Sequence, residues 1–153
     1  METQYLTQEK FDNLKIEHKD LQENKTLELA AKIDEARQNG DLSENAEYHQ
    51  AREELAWVQG RIIEIQAILD NSEIITTGET KDGIIALGST ITVEVKGKER
   101  DLTIVGAQEA DPMNGKISNL SPLGTAFLGK KKGNKISVEV PVGIIEYKIK
   151  EVK

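Results

Sequence analysis

Apolar and long-stemmed residues recur on both sides of the stretch Gly40-Asp41-Leu42-Ser43-Glu44-Asn45-Ala46-Glu47-Tyr48, and the two series mirror one another. Before it, Phe11, Leu14, His18, Leu21, Lys25, Leu29, Ile33 and Ala36 follow a period close to 3.6 residues. After it, Tyr48, Ala51, Leu55, Val58, Ile62, Ile65 and Leu69 alternate steps of three and four, the spacing of a heptad seam. Paired outward from the centre, the residue numbers add to 84 for Ala36 with Tyr48, Ile33 with Ala51 and Leu29 with Leu55. They add to 83 for Leu21 with Ile62, His18 with Ile65 and Leu14 with Leu69. Near-constant sums are what two antiparallel helices packed seam to seam require. Residues 8–75 are therefore predicted to form a helical hairpin, a coiled coil that folds back near residue 42. The arm from Phe11 to Gly40 spans about 45 Å at the α-helical rise. A rod of this kind has little core beyond its seam, and its use is to carry its tip, with Asp41 and Glu44, to a target.

Composition supports an elongated chain. Hydrophobic residues make up 37% and charged residues 31% of 153, which favours a surface-rich molecule over one compact core. No apolar run is long enough to cross a membrane and no secretory leader is visible, so a cytoplasmic, membrane-free protein is expected. Without cysteine there is neither a disulfide framework nor a thiolate zinc site. Charge is divided unevenly: residues 1–75 carry 8 of the 20 Lys/Arg and 17 of the 27 Asp/Glu. An acidic rod argues against an autonomous grip on duplex DNA, because such binders present a basic face.

The chain reads as α+β, in two parts. Residues 1–76 supply the hairpin with its tip at 40–45, residues 77–83 a turn-rich linker, and residues 84–153 a small antiparallel sheet domain. Thr7 caps the first helix, no Pro or Gly interrupts Gln8 to Asn39, and Gly40 ends it. Either Asp41 or Ser43 caps the second helix, which runs to Asp70 or Asn71. Beyond the linker, β-branched runs at 88–95, 101–105, 116–120, 135–140 and 144–152 are predicted strands, with a brief helix at 123–128.

The tip acids admit two readings. Asp41-x-x-Glu44 fits a capping box, and acids in a first helical turn are favoured by the helix dipole. The same two carboxylates stand within reach of one magnesium ion, which commonly takes one or two protein carboxylates beside ligands from elsewhere. Two acids are too few for a self-sufficient metal nuclease and enough to complete a site that a partner supplies.

The run from Ile33 to Tyr48, IDEARQNGDLSENAEY, resembles the signature of the Gre transcript-cleavage factors of bacterial RNA polymerase, GreA type. A second resemblance, to that family's FKBP-like domain, lies in Ile104-Val105-Gly106, Glu109-Ala110-Asp111, Gly115-Lys116-Ile117-Ser118, Ser121-Pro122-Leu123-Gly124 and Ala126-Phe127-Leu128-Gly129-Lys130. The matches keep the family's order and spacing over nearly the whole chain.

The resemblance implies a monomeric factor, not itself an enzyme, whose hairpin enters the polymerase secondary channel of a backtracked complex. It implies that Asp41 and Glu44 help hold a magnesium ion shared with the polymerase site, no cofactor being bound by the factor alone. The polymerase then cleaves the 3′ end of its nascent RNA. Arg37 and Arg52 match positions associated with contact to the displaced transcript; intrahelical ion pairs with Asp34, Glu35, Glu53 or Glu54 are the competing reading. Ser43, Asn45 and Tyr48 would support the tip, with Tyr48 also read as seam packing. Ser121, Pro122, Leu123 and Phe127 align with the polymerase-docking region, although Phe127 also reads as core. The family's usual Arg is Thr125 here, and its usual helix proline is Leu27, a change expected to straighten the rod. The alternatives are a Gre-fold inhibitor of the same channel, a prolyl isomerase with a coiled-coil arm, and a structural adaptor.

Overall fold

The structure is a computed structural model and describes residues 2–40, 44–78, 80 and 82–153. The chain separates into two units, one of Phe11–Asn71 and one of Thr3–Lys10 together with Ser72–Lys153.

The first unit is helical. Its first arm consists of α1 (Gln8–Asp20, which begins in the other unit), a π-helical turn (Leu21–Lys25) and α2 (Thr26–Gln38). Its second arm is the single helix α3 (Ala46–Asp70). Of the predicted seam, Leu14, Leu21, Leu29 and Ala36 from one arm and Tyr48, Ala51, Val58 and Ile65 from the other are buried, while Phe11, His18, Lys25, Ile33, Leu55, Ile62 and Leu69 are half-buried. Polar clamps flank it. Arg61 of α3 grips Glu17 of α1 with two nitrogens, at 2.8 and 3.2 Å. Lys25 reaches across to Glu54 at 3.2 Å.

The π turn accounts for the change in paired sum from 83 to 84. A π turn holds one residue more than an α turn between hydrogen-bonded partners. One extra residue on the first arm therefore raises every pair sum on the tip side by one, and the step falls between Leu21 and Leu29, where the turn lies. The first-arm seam carries the same surplus, with three successive steps of four from Leu21 to Ile33. This irregular turn is present without a proline, and Leu27 is exposed.

The second unit is a five-stranded sheet in the order β5-β4-β3-β7-β6, from β3 (Thr90–Val95), β4 (Lys98–Val105), β5 (Lys116–Ser118), β6 (Lys135–Val140) and β7 (Gly143–Val152). The expected antiparallel sheet is instead mixed, because β5 runs parallel to β4 while the other three pairings are antiparallel. The connection from Gly106 to Gly115, with its two short 3-10 turns, is long enough to return the chain for parallel pairing. Lys96 and Gly97 both have positive φ, the requirement of the two-residue turn that joins β3 to β4. Alternate residues face inward (Ile91 and Val93, Leu102 and Ile104, Ile136 and Val138) and meet Ile85, Ile117, Ile149 and Phe127 in one core.

Two paired strands have no counterpart in the sequence expectation, and the second takes residues 72–75 from the predicted hairpin. Residues 4–7 form β1 (Gln4–Thr7), a strand parallel to β2 (Ser72–Ile75), so these residues belong with the sheet unit and not with the hairpin. Leu6 is fully buried, and the Tyr5 carbonyl lies so close to Gly106 that a Cβ there would stand 1.9 Å from it. Glu109 completes the anchor, accepting from the Thr7 N–H and the Thr7 hydroxyl, both at 2.7 Å. Thr7 in turn caps α1 as expected, accepting from the Lys10 N–H at 3.3 Å.

Candidate functional site

At the tip, α2 ends on Asn39, and Gly40 follows with φ 122°, a conformation that favours glycine. Asp41, Leu42 and Ser43 lie outside the described residues. Glu44 is exposed. The next residue, Asn45, is the N-cap of α3: its Oδ1 accepts from the Tyr48 N–H at 3.1 Å. This corrects the expectation that Asp41 or Ser43 caps that helix; the capping-box reading of Asp41 with Glu44 falls on Asp41, outside the described residues. Asn caps a helix as well as Ser or Asp does, so its position directly before the Ala46–Asp70 run was a readable signal. The other end of the same amide donates to the Ala36 carbonyl at 2.8 Å. One side chain thus ties the end of α2 to the start of α3.

Tyr48 is buried on the seam by its ring and presents its hydroxyl to two cations. Arg52 lies over the ring at 5.6 Å from its centroid and brings Nη1 to 3.5 Å from the hydroxyl. Hydrogen bonding from Arg37 is the main cause that lowers the Tyr48 phenol below its ordinary value; partial burial opposes it and Arg52 adds to it. The ion pairs of the hairpin engage Lys25, Lys32 and Arg61. Among the described residues no carboxylate pairs with Arg37 or Arg52, so the intrahelical ion pairs read from spacing do not form. Both guanidiniums are exposed, and they border an open groove of about 860 Å³ floored by Ala30, Ala31 and Ala56. Such an arrangement suits a phosphate-bearing chain, since guanidinium donors match phosphate oxygens.

Among the described residues no cluster of three or more His, Asp or Glu could hold a metal ion. Exposed Glu44, and Asp41 by sequence, are hard oxygen donors of the kind that magnesium takes.

In the sheet unit, α4 (Pro122–Phe127) is capped by Ser121, whose hydroxyl accepts from the Gly124 N–H at 3.0 Å and donates to the Ser118 carbonyl at 2.7 Å. Pro122 is exposed and Leu123 half-buried, and Leu120 beside them is 62% exposed. Phe127 is 0% exposed, at the centre of the core, with its ring edge-on to Tyr147 at 5.7 Å. It is removed from the docking set: its side chain has no surface to offer a partner, and its ring is not available to line an isomerase pocket. Thr125, in the place of the usual arginine, donates to the Asn119 carbonyl at 3.2 Å.

A helical hairpin with exposed Glu44 beside the start of its second arm, and a small mixed sheet, are the two units of the chain. Residues 4–74 match the N-terminal domain model of the transcription elongation factors, and residues 79–153 match the GreA/GreB C-terminal domain model. The chain belongs to the GreA/GreB family of transcription elongation factors. It is 47% identical over 150 residues to a transcription elongation factor GreA of Caldanaerobacter subterraneus, covering 97% of this chain and 96% of that one. The figures for the GreA of Thermoanaerobacter pseudethanolicus are the same. The solved GreA factor homolog 1 of Thermus thermophilus aligns over 100% of this chain and 99% of its own, at 26% identity and a TM-score of 0.44.

Proposed function

We propose that this chain is a transcription elongation factor that enters the secondary channel of bacterial RNA polymerase and stimulates cleavage of the transcript 3′ end in backtracked complexes. The observation that carries the reading is exposed Glu44, placed beside the cap that joins the two arms, in a stretch that keeps both acids of the Gre signature. It works in the cytoplasm, where its polymerase is. No helix among the described residues is long and apolar enough to cross a membrane.

The chain's own residues divide the task. Ser121, Pro122 and Leu123 provide surface for docking. Arg37 and Arg52, free of carboxylate partners among the described residues, bind the phosphates of the displaced RNA. Asp41 and Glu44, with polymerase ligands, would hold a magnesium ion; such an ion, when bound, lowers the pKa of water and neutralises charge on the oxygens of an in-line displacement. The factor is not an enzyme by itself, since its two acids act only inside the partner's site.

The test is a stalled elongation complex incubated at fixed magnesium with and without the protein. Shortening of the labelled RNA from its 3′ end and renewed extension on adding nucleotides are expected. Unchanged RNA with the protein bound, or blocked extension, would favour the inhibitor reading instead.

A further inference from the structure

We infer that Asn45 is a positioning residue for the tip acid Glu44, acting through its two-sided bridge between α2 and α3. The inference rests on the cleavage reading above. Its observation is geometric: Nδ2 donates 2.8 Å to the Ala36 carbonyl while Oδ1 accepts 3.1 Å from the Tyr48 N–H. The bridge closes the chain between Ala36 and Asn45, and both acids and Arg37 lie within that span. Tying two points of a chain together reduces the conformations open to the residues between them. The acid next to the bridge, Glu44, leaves the loop at a backbone direction that the Asn45 cap sets.

The chemistry selects this residue type. A helix C-terminal carbonyl needs a donor and a helix N-terminal amide needs an acceptor. A carboxamide offers both on one short planar group, whereas Asp offers only acceptors and Ser a single shorter oxygen. Ala36 O already receives the Asn39 N–H at 3.2 Å, so the bridge uses its second lone pair and displaces no helical bond. The Tyr48 amide ties the same bridge to the residue whose hydroxyl meets Arg52. The bridge and Arg52 are therefore linked through two consecutive contacts, with Tyr48 between them.

Two variants separate this role from plain helix capping. Asn45→Ser keeps a good N-cap and loses the reach to Ala36. Asn45→Asp keeps the acceptor toward Tyr48 and sets a carboxylate oxygen against the Ala36 carbonyl in place of the donor. For each, melting of the hairpin, hydrogen exchange at the Tyr48 amide, binding to polymerase by competition, and cleavage as a function of factor concentration are measured. We expect protection at Tyr48 to persist, the half-saturating concentration to hold, and the maximal cleavage rate to fall about ten- to a hundredfold, the scale of an ångström's misplacement of reacting groups. A parental maximal rate in both variants overturns the inference. So does a loss that more factor restores, since that is occupancy and not positioning. A parent protein that binds polymerase and stimulates no cleavage overturns the functional reading beneath it, and the two failures are told apart by the parent alone.

Discussion

Thr26 donates both its backbone N–H and its hydroxyl, the latter at 2.8 Å, to the carbonyl of Leu21, five residues earlier. That double bond closes the π turn and absorbs the surplus residue of the first arm. Deleting Asn24, an exposed residue within the turn, should therefore return the arm to a regular α-helix with its seam in register. Deleting Gln59 from α3, where no surplus exists, rotates the two halves of that helix by about 100° and breaks the seam. Thermal melting of the two deletions checks this. The Asn24 deletion should melt near the parent and the Gln59 deletion far below it; equal losses would show that the π turn does not set the register.

The same turn shows what the sequence could and could not reveal. The seam, both arms and the fold-back were legible because apolar spacing is a long, redundant signal, and even the register step was present as a change from 83 to 84. The five strands of the sheet were legible within a few residues for the same reason. The parallel partner of β4 was not, since alternation reports which face is buried and says nothing of strand direction. Residues 4–7 were missed because a four-residue strand has too short a pattern, and its partner lies 68 positions away at Gln4 and Ser72. At the tip the residue types were visible. The assignment of the cap to Asn45 was not resolved from Asp41 or Ser43, because all three are good caps in isolation.

Phe127 and Leu123 sit on one short helix with different duties. Phe127→Ala should cost the sheet unit about 3–5 kcal/mol, the range for emptying a buried aromatic site. Leu123→Ser, at a half-buried position, should melt closer to the parent. Denaturant titration of the two variants decides it, and a larger loss for Leu123→Ser would return that residue to the core and away from docking.

Gly124 is required by a neighbour. A Cβ there would stand 1.9 Å from the Ser118 carbonyl oxygen, the group that accepts the Ser121 hydroxyl. Gly124→Ala should destabilise the unit by about 1–3 kcal/mol through overpacking and raise the factor concentration needed to bind polymerase. A variant as stable as the parent with parental binding would contradict the tight turn described here.

Tyr48 gives the arginine pair an optical readout. A phenol with a folded-state pKa below its unfolded value adds stability above that value, 10.0, and the contribution is lost as pH falls through the folded pKa. The arginines thus favour the folded hairpin in the alkaline range and contribute nothing by this route near neutrality. Difference titration of tyrosinate absorbance against Tyr48→Phe should place this phenol below its ordinary value, and Arg37→Ala should move it upward. No movement on removing Arg37 would mean that the two side chains do not meet in solution.

The central claim is that the tip acids act on the chemical step while the sheet unit supplies occupancy. Its most direct measurement is a titration of parent, Asp41→Ala, Glu44→Ala and Leu123→Ser against one stalled complex at fixed magnesium, reading both half-saturating concentration and maximal cleavage rate. Uniform binding changes only the first, and contacts made in the transition state change the second. Leu123→Ser should need more protein and reach the parental rate. The two acid variants should saturate at parental concentrations with rates lower by about two orders of magnitude, the scale of losing a group that stabilises the transition state. Acid variants that recover the parental rate at saturation would show that the tip anchors the factor and takes no part in cleavage.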